Sequence, residues 1–130
     1  MRPGKKRSDT SGEVKTTVPV ECITIDEFLD ETVVVDLIKM DVEGAELHAL
    51  KGMKRTIARA STHLTMFVEC QSRGLRLAGG SAGALIEQLR ELGLRVMVID
   101  EQNRRLSPVD ADIESVKYVN LYCSRNKESL

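Results

Sequence analysis

Three carboxylates lie at or just beyond the ends of two apolar runs. Residues 32–40 (TVVVDLIKM) are followed at once by Asp41 and Glu43. Residues 64–70 (LTMFVEC) carry Glu69 next to their last position. In an open α/β sheet, ligands bind beyond the carboxyl ends of the parallel strands, so we expect these carboxylates at the ligand-facing rim. A carboxylate there can act as a general base toward a hydroxyl, accept a hydrogen bond from an ammonium or hydroxyl group, or bind a divalent metal.

Two neighbours of these carboxylates bear on their chemistry. Lys39 alternates onto the same side as Asp41 and Glu43 if the strand runs that far. We predict that its charge keeps those two carboxylates ionised. Gly44 has no Cβ, so a ligand or the next helix can approach its backbone closely. A purely structural interpretation stays open, in which Asp41 and Glu43 cap the following helix and Glu69 is a solvated strand-end residue.

A glycine-rich segment offers a second candidate site. Residues 79–83 (GGSAG) precede a predicted helix and superficially resemble a phosphate cradle. A dinucleotide-type loop follows its strand directly, whereas about nine residues intervene after Cys70 here. We therefore interpret the segment as an ordinary loop in which Ser81 caps the helix. His48 has no second His or Cys nearby and is predicted to be a surface or packing residue.

The composition limits the classes of protein. The 130 residues suit one domain with its own core. With no Trp and 3% aromatic residues, the chain is poorly suited to nucleic-acid binding by base stacking. No apolar run reaches the roughly 18 residues of a membrane-spanning helix, and no signal-peptide segment follows the basic N-terminus. We predict a cytoplasmic protein that binds neither nucleic acid nor membrane, with buried, reduced thiols at Cys22, Cys70 and Cys123.

The N-terminal residues differ from the rest of the chain. Residues 1–17 carry five Lys/Arg against two Asp/Glu and have almost no apolar side chains. Since such a segment cannot offset its ordering entropy by burial, we predict a disordered leader there. Residues 18–130 are predicted to form the domain.

Alternating β-type and helical patterns predict an α/β fold. Strands are predicted at residues 32–40, 64–70, 94–99 and 118–123. The first of these runs is almost continuously apolar, which is typical of a strand covered on both faces. Because no helix precedes the last strand, we predict that it is antiparallel to its neighbours.

Helices are predicted in three places between or before these strands. Thr24 and Glu27 form a capping box that begins a short first helix. A second helix is interrupted by Gly52, and a third ends at Gly93. Irregular structure is predicted for residues 71–80 and 100–115.

Residues 36–52 (DLIKMDVEGAELHALKG) closely resemble the signature of FkbM-family methyltransferases. That family shows an aspartate-leucine-isoleucine-lysine-isoleucine-aspartate-valine-glutamate-glycine run, then a glutamate-leucine pair and a leucine-x-glycine. Residues 18–26 resemble the valine-rich segment before this run, and residues 67–69 (FVE) resemble the family's next strand. The resemblance is specific over residues 18–70 and only topological beyond them.

The resemblance implies a class I methyltransferase fold, with a Rossmann-like sheet of strand order 3-2-1-4-5-7-6. The four predicted strands would form a partial sheet 4-5-7-6, with the last strand antiparallel and helices on both faces. The family implies methyl transfer from S-adenosylmethionine, here onto a hydroxyl of a small molecule or glycan. By the same resemblance, Asp41 and Gly44 would contact the cofactor. Asp41, Glu43 and Glu69 would be the catalytic residues.

The sequence departs from the family pattern in its first residues. Such domains carry a glycine-rich loop after strand 1 that packs against the cofactor, and an acidic residue after strand 2 that binds its ribose. Residues 1–17 contain no counterpart of either feature. We therefore expect the C-terminal half of a methyltransferase domain, and leave open whether it binds the cofactor and acts as an enzyme by itself.

Two alternatives to a methyltransferase stay open. In the first, the chain is a non-catalytic interaction module whose exposed edge at residues 32–40 pairs with another copy, giving a homodimer or a higher oligomer. In the second, Asp41, Glu43 and Glu69 bind magnesium for phosphoryl chemistry, although no phosphate loop accompanies them.

Overall fold

The computed structural model describes residues 16–125, which form a mixed sheet with helices packed against it. The strands are β1 (Leu37–Met40), β2 (Thr65–Gln71), β3 (Arg95–Asp100), β4 (Arg105–Ser107) and β5 (Tyr118–Ser124). They lie in the order β1-β2-β5-β3-β4. β1 and β2 are parallel, and β5 is antiparallel to both β2 and β3. The predicted α/β class and the antiparallel last strand are confirmed.

Within residues 16–125, five short helices and one 3-10 helix precede or connect the strands. They are α1 (Ile25–Phe28), α2 (Glu46–Lys51), α3 (Lys54–Ala58), α4 (Ser72–Leu77), α5 (Ala82–Glu91) and the 3-10 helix Ile113–Ser115. The predicted capping box is present, because Thr24 Oγ1 accepts the Glu27 N–H at 3.1 Å and Glu27 accepts the Thr24 N–H at 2.9 Å. Gly52 separates α2 from α3 as predicted. Ser81 caps α5 by accepting the Ala84 N–H at 3.0 Å.

The segment predicted as a loop at residues 71–80 contains a helix, so that prediction is wrong for α4. Leu75 of this helix is completely buried. Gly74 in its middle hides the helical pattern, since glycine disfavours a helix interior. The prediction for residues 100–115 is also wrong in part, because β4 pairs with β3 as an antiparallel hairpin.

The buried core lies on one face of the sheet. Register places Met66 and Val68 of β2 beside Cys123 and Leu121 of β5, and all four side chains are fully buried on this core face. The opposite face, here called the open face, carries partly exposed side chains at the alternate positions of β2. The buried residues of the described helices join the core-face cluster only. The predicted helices on both faces are therefore wrong for residues 16–125.

The directions of the strands explain why the described helices cover only one face of the sheet. β1, β2 and β3 run in the same direction, and the two crossovers that connect them advance the same way across the sheet. Right-handed crossovers that advance in one direction place their helices on the same face. A helix on the open face would require a crossover that advances in the opposite direction.

The first strand is shorter and more exposed than its sequence predicts. Only Leu37–Met40 of the predicted residues 32–40 form the strand, and β2 is its sole described neighbour. Leu37 is 60% exposed and Val34 is 59% exposed. The prediction of a strand covered on both faces is therefore wrong, because Leu37 and Lys39 are exposed on the open face. No described strand pairs with the outer edge of β1.

The remaining predictions concern the thiols, the leader and the membrane. Cys70 and Cys123 are buried as predicted, but Cys22 is exposed, because it lies in the exposed segment before α1, which forms neither helix nor strand. Most of the predicted leader, residues 1–15, lies outside the described residues. Within residues 16–125, no helix has the length and apolar character needed to cross a membrane.

Candidate functional site

Asp41 and Glu69 form the centre of the candidate site. Asp41 directly follows β1, where register pairs Met40 with Val68, so one further step brings Asp41 beside Glu69. The side chains of Asp41 and Glu69 hydrogen-bond to each other. We call these two residues the carboxyl pair. The pair lies at the carboxyl ends of the parallel strands β1 and β2, the rim to which the sequence assigned it.

The surroundings of the carboxyl pair favour a proton on Glu69. The hydrogen bond between the two side chains raises the pKa of Glu69 above its ordinary value, because protonated Glu69 donates it to the Asp41 carboxylate, and partial desolvation and the negative charges of Asp41 and Glu43 raise it further. Lys39 opposes this rise. A hydrogen bond between two carboxyl groups requires a proton on one of them, and the raised pKa favours Glu69 as the residue that carries it.

Glu43 lies near the pair on a tight turn of residues 42–45. The Ala45 N–H donates to the Val42 carbonyl at 3.1 Å. Glu43 has a φ of 55° and Gly44 a φ of 103°, both in the left-handed region. Ala45 is the N-cap of α2 and makes no side-chain capping bond. The structural interpretation in which Asp41 or Glu43 caps this helix is therefore wrong.

Gly44 is in close contact with another part of the backbone. A Cβ at this position would lie 2.5 Å from the carbonyl carbon and oxygen of Gly74 in α4. A helix does approach Gly44, as the sequence allowed, but it is α4 and not the helix that follows. This contact accounts for the glycine by packing, and the predicted contact of Gly44 with a cofactor stays a prediction.

The sequence of this region matches a known family. A model of the methyltransferase FkbM domain matches residues 2–96, which include β1, β2 and the carboxyl pair. The chain belongs to the FkbM methyltransferase domain family. It has no significant match among curated proteins or solved structures.

One residue of the FkbM signature, the glutamate of its glutamate-leucine pair, was not predicted to have a role in the site. Glu46 is 1% exposed, and its Oε1 accepts the Gly44 N–H at 3.3 Å. Its Oε2 has no hydrogen-bond partner among the described residues. The signal was present, because Glu46 lies four residues before Leu50 and therefore on the buried stripe of the helix.

The polar rim of the FkbM domain continues across β5. Asn120 lies opposite Glu69 in the register. Its Nδ2 donates to Glu101 at 3.1 Å, and its Oδ1 accepts from the Tyr118 hydroxyl at 3.4 Å. Sequence analysis missed these residues because their place beside Glu69 depends on the insertion of β5 between β2 and β3.

The acidic side chains of the rim bear on whether it can hold a metal ion or the family's cofactor. The described residues contain no group of three or more His, Cys, Asp or Glu side chains arranged to hold a metal ion. S-adenosylmethionine carries a positive sulfonium group, and the exposed carboxylates of Asp41 and Glu43 have the complementary charge. The carboxylates of Asp41 and Glu43 in the FkbM domain therefore fit the positively charged end of the cofactor.

Proposed function

We propose that this chain is an S-adenosylmethionine-dependent FkbM methyltransferase whose described residues form the acceptor side of the site. The acceptor is a hydroxyl oxygen of a small molecule or glycan. The observation that carries the proposal is the carboxyl pair, which lies at the carboxyl ends of β1 and β2 and within the segment matched by the family model.

The sheet supports this assignment. If β1, β2, β5 and β3 correspond to strands 4, 5, 7 and 6 of a class I methyltransferase, the observed order β1-β2-β5-β3 agrees with the order 4-5-7-6. The antiparallel direction of β5 agrees with that of strand 7. In this correspondence, Asp41 follows strand 4 at the ligand-binding end of the sheet.

In the proposed reaction, Asp41 would act as the general base and Glu69 would orient it. Asp41 is exposed and accepts the hydrogen bond of the acceptor hydroxyl, and its carboxylate takes the proton as the oxygen becomes a nucleophile. Glu69 holds a proton more readily and fixes the orientation of Asp41 through their shared hydrogen bond. When bound, S-adenosylmethionine supplies an electrophilic methyl group. Holding the hydroxyl in line contributes most of the acceleration.

A polar acceptor has room beside the pair. A groove of about 550 Å³ adjoins the rim, and its lining includes Glu101, Tyr118 and Asn120. Carboxylate, phenol and amide groups accept and donate hydrogen bonds to hydroxyls. The groove therefore suits a neutral acceptor with several hydroxyl groups.

The cofactor contact is tested by NMR, which detects weak as well as tight binding. S-adenosylmethionine is titrated into the 15N-labelled chain, with neutral S-adenosylhomocysteine as the matched ligand. We expect the amides of residues 41–44 to shift more with the sulfonium compound, and we expect Asp41→Asn to abolish that difference. Equal shifts for both ligands, or shifts confined to other parts of the chain, would contradict the proposal.

The outer edge of β1 favours a second candidate function, association of two copies. This edge adjoins an apolar groove of about 420 Å³, whose lining includes Ile25, Leu37 and Met53. An exposed strand edge with apolar side chains is a template for pairing with another strand. The second copy of this chain would then cover Leu37, which is 60% exposed in the monomer.

A further inference from the structure

Glu46 is a buried carboxylate that packing alone does not explain. It is 1% exposed and stands at the start of α2, on the same buried stripe as Leu50. Its Oε1 accepts one backbone N–H, whereas its Oε2 has no partner among the described residues. A half-satisfied buried carboxylate costs free energy that an apolar side chain of similar volume would not cost.

The single described hydrogen bond of Glu46 goes to a backbone segment with unusual torsion angles. Its partner, the Gly44 N–H, lies in the turn of residues 42–45, where two consecutive residues have left-handed φ angles. Glu43 in this turn is not a glycine, so its conformation has to be held by its surroundings. The backbone of Gly74 closes the other side of the turn, since its carbonyl lies where a Cβ of Gly44 would be.

The turn of residues 42–45, which Glu46 and the Gly74 backbone hold in place, connects the carboxyl pair to the core. It begins directly after Asp41, and it carries Glu43, whose charge acts on Glu69. A change in the turn therefore moves two of the three acidic groups relative to the third. Glu46 makes no described hydrogen bond to the three acidic side chains, and its described hydrogen bond to the Gly44 N–H acts on them through the backbone.

We propose that Glu46 is a positioning residue that holds the carboxyl pair in place through the Gly44 N–H. Its importance for methyl transfer rests on the proposed function, whereas its effect on the pair does not. The inference is therefore tested by a measurement on the pair that needs neither cofactor nor acceptor.

The experiment follows the side-chain carboxyl of Glu69 by 13C NMR as a function of pH in three proteins. In Glu46→Leu the acceptor is lost, and we expect the pKa of Glu69 to fall back most of the way toward its ordinary value of 4.5. The amide proton of Gly44 should shift upfield in the same variant. In Glu46→Gln a carbonyl oxygen remains as acceptor, so both signals should stay close to those of the unchanged protein.

Thr56→Val is the matched control, because Thr56 is also 1% exposed but bonds to Asp26, away from the carboxyl pair. It should lower stability without changing the titration of Glu69. An unchanged pKa of Glu69 in Glu46→Leu would overturn the proposal, and so would an equal loss in Glu46→Gln. If Glu46→Leu does not fold, the Gly44 amide of Glu46→Gln decides. A retained hydrogen-bonded shift supports the proposal, and a lost one overturns it.

This design separates the two proposals. If the titration of Glu69 responds as expected but the chain transfers no methyl group, the positioning role stands and the proposed function fails. If methyl transfer occurs and the titration does not respond, the proposed function stands without Glu46.

Discussion

Asp41 and Glu69 share a hydrogen bond between their carboxyl groups at the end of two adjacent parallel strands. The two residues are separated by 28 positions in the sequence, and the strand register alone brings them together.

Glu69 makes stability depend on pH in a direction that can be checked. Its pKa is raised in the folded chain, so the folded state keeps a proton that the unfolded state has lost. This contribution is fully present below the ordinary pKa of 4.5 and is lost as the pH rises through the folded pKa. The free energy of unfolding relative to Glu69→Gln should therefore decrease over that range, as measured by urea denaturation at each pH. A difference that grows with pH would contradict the assignment.

Gly44→Ala should be one of the most destabilising substitutions in the chain. A methyl group there meets the Gly74 backbone at 2.5 Å, and the φ of 103° is unfavourable for alanine. We expect a loss of about 3 kcal/mol or more, since overpacking and a left-handed φ both contribute. Gly93→Ala is the control, because its φ is 84° with no heavy atom within 4 Å. It should cost only about 1 kcal/mol in urea denaturation. Equal losses would argue against the contact with α4.

Asp26 caps α3 from a distant part of the sequence. Its carboxylate accepts the N–H groups of Thr56 at 2.7 Å and Arg55 at 3.1 Å. Asp26→Ala should therefore cost about 1–2 kcal/mol, the usual range for a lost N-cap. Glu31→Ala, a change of an exposed carboxylate nearby, should have little effect on the thermal midpoint.

The contribution of Asp26 to the stability of the fold should depend on pH. Burial raises the pKa of Asp26, but the hydrogen bonds from Thr56 and Arg55 outweigh it, so that its pKa is lowered overall. Its contribution to stability is present above the ordinary value of 3.8 and is lost as the pH falls through the folded pKa. The stability difference between the unchanged chain and Asp26→Asn should shrink on acidification. A constant difference down to the folded pKa would contradict the role of the cap.

The free edge of β1 predicts association that depends on concentration. Sedimentation velocity should show dimers of the unchanged chain at high concentration, and Leu37→Lys should shift the equilibrium toward monomer, since charge on an edge strand opposes pairing. Leu77→Lys is the matched control, because Leu77 is 79% exposed on α4, away from this edge. A monomer at all concentrations, or the same effect from both variants, would rule out the edge as an interface.

Local patterns in the sequence were enough for much of the fold. The Thr24–Glu27 capping box, the break at Gly52 and the end of α5 near Gly93 each depend on residues close in sequence. The position of Asp41 at the rim followed from an apolar strand that ends in carboxylates. These predictions succeeded because the interactions that determine them are short-range.

Other features depend on contacts between distant segments. α4 was missed because Gly74 lowers helix propensity, whereas the close approach of Gly44 requires a glycine there. The exposure of β1 could not be predicted from its own apolar residues, since the burial of a strand depends on the elements that pack against it. Asn120 lies beside Glu69 only because β5 inserts between β2 and β3, which no local pattern specifies.

Methyl transfer itself tests the central claim most directly. The chain is incubated with millimolar S-adenosylmethionine labelled with 13C in its methyl group and with a panel of hydroxylated acceptors, and the products are followed by mass spectrometry. We predict label on a hydroxyl oxygen of at least one acceptor, and loss of that transfer in Asp41→Asn. Absence of transfer to every acceptor, or equal transfer by Asp41→Asn, would contradict the role given to the carboxyl pair.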